Sequence, residues 1–117
     1  MEAGDVIWAD LPECGDCIQA GRRPCIVLGN PAACSFSPVV TLVPVSSAVK
    51  KINKIPTHVL LTGLKKISIA LTEQVRTVNK SCLMGAPIYH LSKDEKEAVQ
   101  DAINKQFGLN ITKERVD

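Results

Sequence analysis

The longest β-like stretch of the chain runs from Val39 to Val49, Val-Val-Thr-Leu-Val-Pro-Val-Ser-Ser-Ala-Val. Branching at Cβ limits rotamers in a helix and suits the pleated surface of a sheet, so this stretch is expected to be a strand. Pro44 interrupts it and has no N–H for a ladder, which predicts an edge position or a bulge that re-aims Ser46 and Ser47. Shorter runs at Val6–Leu11, Cys25–Leu28, Thr57–Leu61, Ile67–Leu71 and Gln74–Val78 have strand character. Gly29 to Pro38 reads as a loop, and Asn79 as the cap of a helical turn over Lys80 to Leu83 that Gly85 to Pro87 breaks.

One long helix is expected, from Lys93 to Phe107. Ser92-Lys93-Asp94-Glu95 has the spacing of a capping box, Ala98, Val99, Ala102, Ile103 and Phe107 form one apolar face, and Gly108 supplies the stop. Short strands with one terminal helix predict a mainly β domain, a small and strongly bent sheet or half-open barrel. The polar residues Asn110 to Asp117 read as a tail.

A chain of 117 residues suffices for one core, and one domain over 1–117 is expected. Aromatic residues make up only 3%, so an extended stacking platform for bases is not expected. With 14 basic against 12 acidic residues, any basic site must be local. The start of the chain has no basic segment followed by an apolar one, and no apolar run approaches a membrane span, so a cytoplasmic protein is expected. Five irregularly spaced cysteines do not resemble a secreted disulfide framework. Cys14-x-x-Cys17 has metal-knuckle or redox spacing, but no second pair completes a zinc tetrahedron, and no metal or cofactor is expected. Role-free loop cysteines or a reversible disulfide are the alternatives.

Gly21-Arg22-Arg23-Pro24 reads as a basic turn into the Cys25–Leu28 strand, with the Pro12–Gln19 loop folding back beside it. A planar guanidinium held at a strand entrance can donate to two phosphate oxygens, although Arg22 reads equally as a solvated surface charge.

Several motifs together resemble the MazF/PemK family of bacterial toxins: Gly4-Asp5-Val6-Ile7-Trp8-Ala9-Asp10-Leu11, Gln19-Ala20-Gly21-Arg22-Arg23-Pro24, Val43-Pro44-Val45-Ser46-Ser47, Pro56-Thr57-His58-Val59 and Leu71-Thr72-Glu73-Gln74-Val75-Arg76-Thr77-Val78. Their order and spacing span nearly the whole length. The resemblance implies an SH3-like small barrel of the kind shared by CcdB, MazF and PemK toxins, a symmetric homodimer, and metal-independent cleavage of single-stranded RNA. It also implies inhibition by an antitoxin segment that wraps the dimer.

Carried onto this sequence, the resemblance makes Arg23 and Ser46 catalytic and Glu73 a candidate general base, with a structural role for Glu73 as the alternative. Gln19 and Gln74 read base edges or hold loops. Arg22, Ser47 and Lys50 are further candidates for RNA contact, and Arg76 contacts phosphate or supports the sheet. Family members commonly carry an acidic or small polar residue just before the Gln of Gln-x-Gly-x-Arg-Pro, whereas here Cys14-Gly15-Asp16-Cys17-Ile18 precedes Gln19. Two other classes stay open: a CcdB-like toxin that binds gyrase through its terminal helix, and a non-catalytic binding module.

Overall fold

The structure, a computed structural model, describes residues 1–48 and 55–108. Among these residues seven strands and two α-helices follow in order: β1 Asp5–Leu11, β2 Gly21–Leu28, α1 Pro31–Phe36, β3 Val39–Ser46, β4 His58–Leu61, β5 Ser68–Leu71, β6 Arg76–Asn79, β7 Leu83–His90 and α2 Lys93–Gln106, with short 3-10 turns at Thr72–Gln74 and, where a helical turn was expected, at Lys80–Cys82. Every pairing is antiparallel, the strand order is β4-β5-β3-β2-β1-β7, and β6 pairs with β3 outside that path. The sheet is bent but not closed, so the half-open arrangement holds and a complete barrel does not form.

β3 is the hinge of this architecture. Its Val39 to Leu42 half pairs with β6, while Val45 and Ser46 pair with β5. Val43 and Pro44 fall where the partner on that side changes. The β2 side keeps constant register from Leu28–Thr41 to Cys25–Pro44, so the bulge expected at Pro44 is absent. A residue with no N–H fits a place where the ladder is already interrupted.

Two apolar layers result because β1 and β2 alternate. Val6 and Ile26 face one core with Val43, Leu61 and the buried α2 residues Val99 and Ala102. Ile7, Ala9, Leu11, Cys25 and Val27 face the other, with Leu42 and Cys34 of α1. Cys25 and Cys34 are therefore core residues, whereas Cys14 and Cys17 are exposed free thiols.

The expected capping box is present: Ser92 Oγ accepts from Glu95 N at 3.2 Å, and Glu95 Oε1 accepts from Ser92 N at 2.9 Å. Phe107 departs from its expected place on the apolar face; it ends the helix and is 57% exposed. The stretch expected to be a loop contains α1, started by Asn30, whose Oδ1 accepts from Ala33 N at 2.8 Å, and by Pro31. That cap-then-proline signal was present in the sequence but masked by small polar neighbours.

Gly85 to Pro87 does not end an element, but lies inside β7. β7 pairs with β1 at His90–Asp5 and Tyr89–Val6, then again at Met84–Trp8 and Leu83–Ala9. Gly85, Ala86, Pro87 and Ile88 thus oppose Ile7 alone, and this edge strand bulges outward with Gly85 at φ +80°. The basic tetrapeptide also differs from expectation: all four residues lie in β2 itself, with Gly21, at φ +78°, as its first residue opposite Leu11.

The start of the chain is tied to the end of β7. Asp5 is buried; its Oδ1 accepts from His90 Nδ1 at 2.8 Å and its Oδ2 from Glu2 N at 2.9 Å. Burial pushes this carboxyl up, but the His90 bond, the Glu2 N–H and the charges of His90 and the N-terminus together hold it below the usual carboxylate value. Its stabilising effect is complete above the unfolded pKa near 4 and is lost as pH falls through the lower folded value. Urea unfolding followed from pH 5.5 to pH 2 should show a smaller acid loss in Asp5→Asn than in the parent; equal slopes would contradict this. Among the described residues no helix is long and apolar enough to cross a membrane.

Candidate nucleic-acid groove

A groove of about 830 Å³ opens across β1, β2, the end of β3, the Gly63–Ser68 connection and the end of β7. Its lining includes Gln19, Arg22, Arg23, Ser46 and Ser47, which are five of the residues anticipated from sequence. The central two come from neighbouring strands: the β2–β3 register ends at Cys25–Pro44, and Arg23 and Ser46 each lie two residues beyond that last pair and line the same groove. Distance along the chain hides this shared placement, and antiparallel pairing of β2 with β3 creates it.

Arg23 is half-buried, and its Nε donates to Ala20 O at 3.2 Å. Among the described residues its terminal guanidinium nitrogens make no hydrogen bond, which leaves the forked end of the side chain toward the groove. Ser46 Oγ accepts from Ala48 N at 3.2 Å, an arrangement that fixes the hydroxyl and leaves its proton available to donate. Beneath Arg23, burial pushes the Cys25 thiol up to about 12 against the opposing pull of the Arg23 and Arg76 guanidiniums. That sulfur is a neutral core group rather than a nucleophile.

The charge is one-sided. Arg22, Arg23, Lys65 and Lys66 line the groove, and among the described residues no Asp or Glu does. A nearly neutral chain thus concentrates four cations at one opening, which favours an anionic ligand. The sequence motifs do not single out Lys65 and Lys66; their only signal is two adjacent lysines, which sequence alone cannot aim. Lys50 lies outside the described residues.

The remaining candidates stand away from the groove lining. Glu73 Oε2 meets His58 Nε2 at 2.7 Å, and Glu73 Oε1 accepts from Thr57 Oγ1 at 3.4 Å, so this carboxylate joins the turn after β5 to the start of β4. Gln74 holds the incoming loop: its Oε1 accepts from Gln19 N at 2.7 Å and its Nε2 donates to Cys17 O at 3.3 Å. Arg76 Nη1 donates to Pro12 O at 3.0 Å and to Gln19 O at 3.4 Å. Gln74 and Arg76 therefore staple the Pro12–Gln19 segment beside the groove, which carries the position of Gln19.

The sequence profile of the PemK-like, MazF-like toxins of type II toxin-antitoxin systems matches residues 2–107. The chain belongs to this toxin family. A curated member, Endoribonuclease MazF of Staphylococcus saprophyticus, is 36% identical over 114 residues, covering 94% of this chain and 93% of its own. The crystal structure of MazF from Deinococcus radiodurans superposes with a TM-score of 0.79 at 22% identity, covering 92% of this chain and 96% of that one. An endoribonuclease in complex with its cognate antitoxin, from a mycobacterial species, gives a TM-score of 0.75 at 19% identity, covering 94% and 97%. The MazF-type fold thus accounts for the bent open sheet and its terminal helix, and the groove lies on the face that β1, β2 and β3 share.

Proposed function

We propose that this chain is the toxin of a type II toxin-antitoxin pair and cleaves single-stranded RNA in the Arg23–Ser46 groove. The observation that carries this reading is a cationic lining, with no Asp or Glu among the described residues, that includes both the Arg23 guanidinium and the Ser46 hydroxyl. The endoribonuclease name of the Staphylococcus relative supports the same activity.

The chemistry follows from those groups. RNA carries its own nucleophile, the 2′-hydroxyl, whose oxygen gives up its proton to water and bonds to the adjacent phosphorus as the bond to the 5′-oxygen breaks and that oxygen takes up a proton. The products are a 2′,3′-cyclic phosphate and a 5′-hydroxyl, so DNA is inert. Negative charge gathers on the non-bridging oxygens in the transition state, where Arg23 supplies a forked cation and Ser46 a hydroxyl donor. Arg22, Lys65 and Lys66 hold the flanking phosphates, and Gln19 and Ser47 offer hydrogen bonds to the strand. Among the described residues the groove lining offers no carboxylate, imidazole or thiolate for a metal ion, which suits a metal-independent reaction.

Incubation with a long single-stranded RNA in excess chelator, followed by mapping of the ends, tests this. Cyclic-phosphate ends at short recurring sequences are expected, and intact RNA after treatment with the folded, antitoxin-free protein would refute the reading.

Glu73 acts in this scheme as a support for β4 rather than as the base, because its partners are His58 and Thr57. Glu73→Gln should keep cleavage within about tenfold of the parent, whereas loss of a general base costs roughly 10²- to 10⁴-fold. A kcat fall in the latter range, with melting unchanged, would return Glu73 to the mechanism.

Inhibition by a cognate antitoxin segment is proposed from the mycobacterial relative solved with its own antitoxin. The homodimer and the cytoplasmic setting are carried with the same reading. The gyrase-binding alternative has less support, since Val99 and Ala102 of α2 are buried against the sheet.

A further inference from the structure

The chain contains one tryptophan, one tyrosine and two phenylalanines. Its tryptophan and its tyrosine both line the cationic groove. Trp8 lies on β1 opposite Pro24 of β2 on one side and Met84 of β7 on the other, and it is 40% exposed although its neighbours Ile7 and Ala9 are buried. Tyr89 stands opposite Val6, two residues back along β1, so both aromatic side chains project from the same face of the sheet.

Tyr89 is fixed at three points. Its hydroxyl donates to Glu95 Oε1 at 2.7 Å, its ring packs partly against the core beneath α2, and a Cβ at Gly63 would overlap its hydroxyl. Glu95 is the residue that closes the capping box of α2, so one carboxylate sets both the helix start and this ring. With its hydroxyl occupied, Tyr89 presents carbon surface to the groove. Ile88, brought there by the β7 bulge, and Pro24 line the groove beside it, as do Arg22, Arg23, Lys65 and Lys66.

We infer that Trp8, with Tyr89 as a fixed side wall, forms a subsite that takes an unpaired nucleobase of the bound strand. The inference rests on the RNA reading above and deepens it. An exposed apolar ring in a groove lined by cations fits a ligand that carries flat π-faces on a polyanionic backbone, and nucleobases stack on aromatic side chains with little dependence on sequence. The scarcity of aromatics excludes an extended platform but is compatible with one seat for one base.

Because Trp8 is the only tryptophan, its fluorescence reports on this seat directly. The protein is titrated with a mixed-sequence 2′-O-methyl 12-mer, which cannot be cleaved, and with an abasic sugar-phosphate strand of the same length. The base-bearing strand is expected to quench Trp8 and to bind about tenfold or more tightly than the abasic one. Trp8→Leu should remove that advantage without changing the weak, salt-sensitive binding of the abasic strand, and Trp8→Phe should restore most of it. Gly63→Ala, which displaces Tyr89, should weaken only the base-bearing strand.

Equal affinity of the two strands would overturn the subsite while leaving the RNA reading intact. If neither strand binds and long RNA is also uncut, both fall. Quenching that follows protein concentration without any strand would assign Trp8 to a contact with a second copy and likewise overturn the proposal. Melting curves confirm that each variant is folded.

Discussion

Arg23→Ala should lower RNA cleavage by at least 10²- to 10³-fold while leaving the protein folded. One preorganised donor aimed at developing charge is worth roughly 3 to 4 kcal/mol of barrier, and Arg23 supplies two forked nitrogens with no competing partner among the described residues. The side chain contributes little to the fold, since its one hydrogen bond runs from Nε to Ala20 O three residues away. β2 is held by its backbone pairing with β1 and β3. Arg23→Lys should recover only part of the rate, because an ammonium restores charge but not two-point donation. Single-turnover cleavage beside circular-dichroism melting separates the two effects, and a mutant within tenfold of the parent would remove Arg23 from the chemistry.

Leu42→Ala should cost about 3 kcal/mol of unfolding free energy, within the usual range of about 2 to 5 for a buried leucine. Leu42 is fully buried and pairs with Val27 of β2 on one side and Arg76 of β6 on the other. A cavity there is bordered by backbone on both flanks, which limits collapse. Chemical denaturation provides the measurement, with a loss below about 1 kcal/mol as the contrary result. The site lies four residues further along the same strand, so cleavage at low temperature should be nearly unchanged.

Arg23 and Ser46, the pair proposed to act on RNA, were readable as candidates because each sits in a short motif. That both reach one groove was not, since it depends on the β2–β3 pairing. The capping box of Ser92 and Glu95 was legible for a local reason: the signal and the structure it specifies lie within four residues. β7 was illegible for the opposite reason. Gly85 and Pro87 break any isolated element, and only the position of β7 at the sheet edge, with four residues bulged against one, makes them tolerable.

Side-chain direction was the other hidden quantity. Glu73, Gln74 and Arg76 sit in one polar run, yet they turn to His58, to Cys17 and Gln19, and to Pro12 and Gln19 respectively, instead of into the groove. Trp8, by contrast, was visible as a strand residue, but the period of a strand does not say which apolar side chain will remain uncovered.

The bulged segment of β7 has a consequence for how such a groove can change. Pairing at His90–Asp5 and Tyr89–Val6 is separated from pairing at Met84–Trp8 and Leu83–Ala9 by residues that carry no register of their own. One residue could be gained or lost there without shifting either paired end. The segment is in effect an adjustable spacer: its length would raise or lower one wall of the opening through Ile88, while the strands that hold Arg23 and Ser46 keep their alignment.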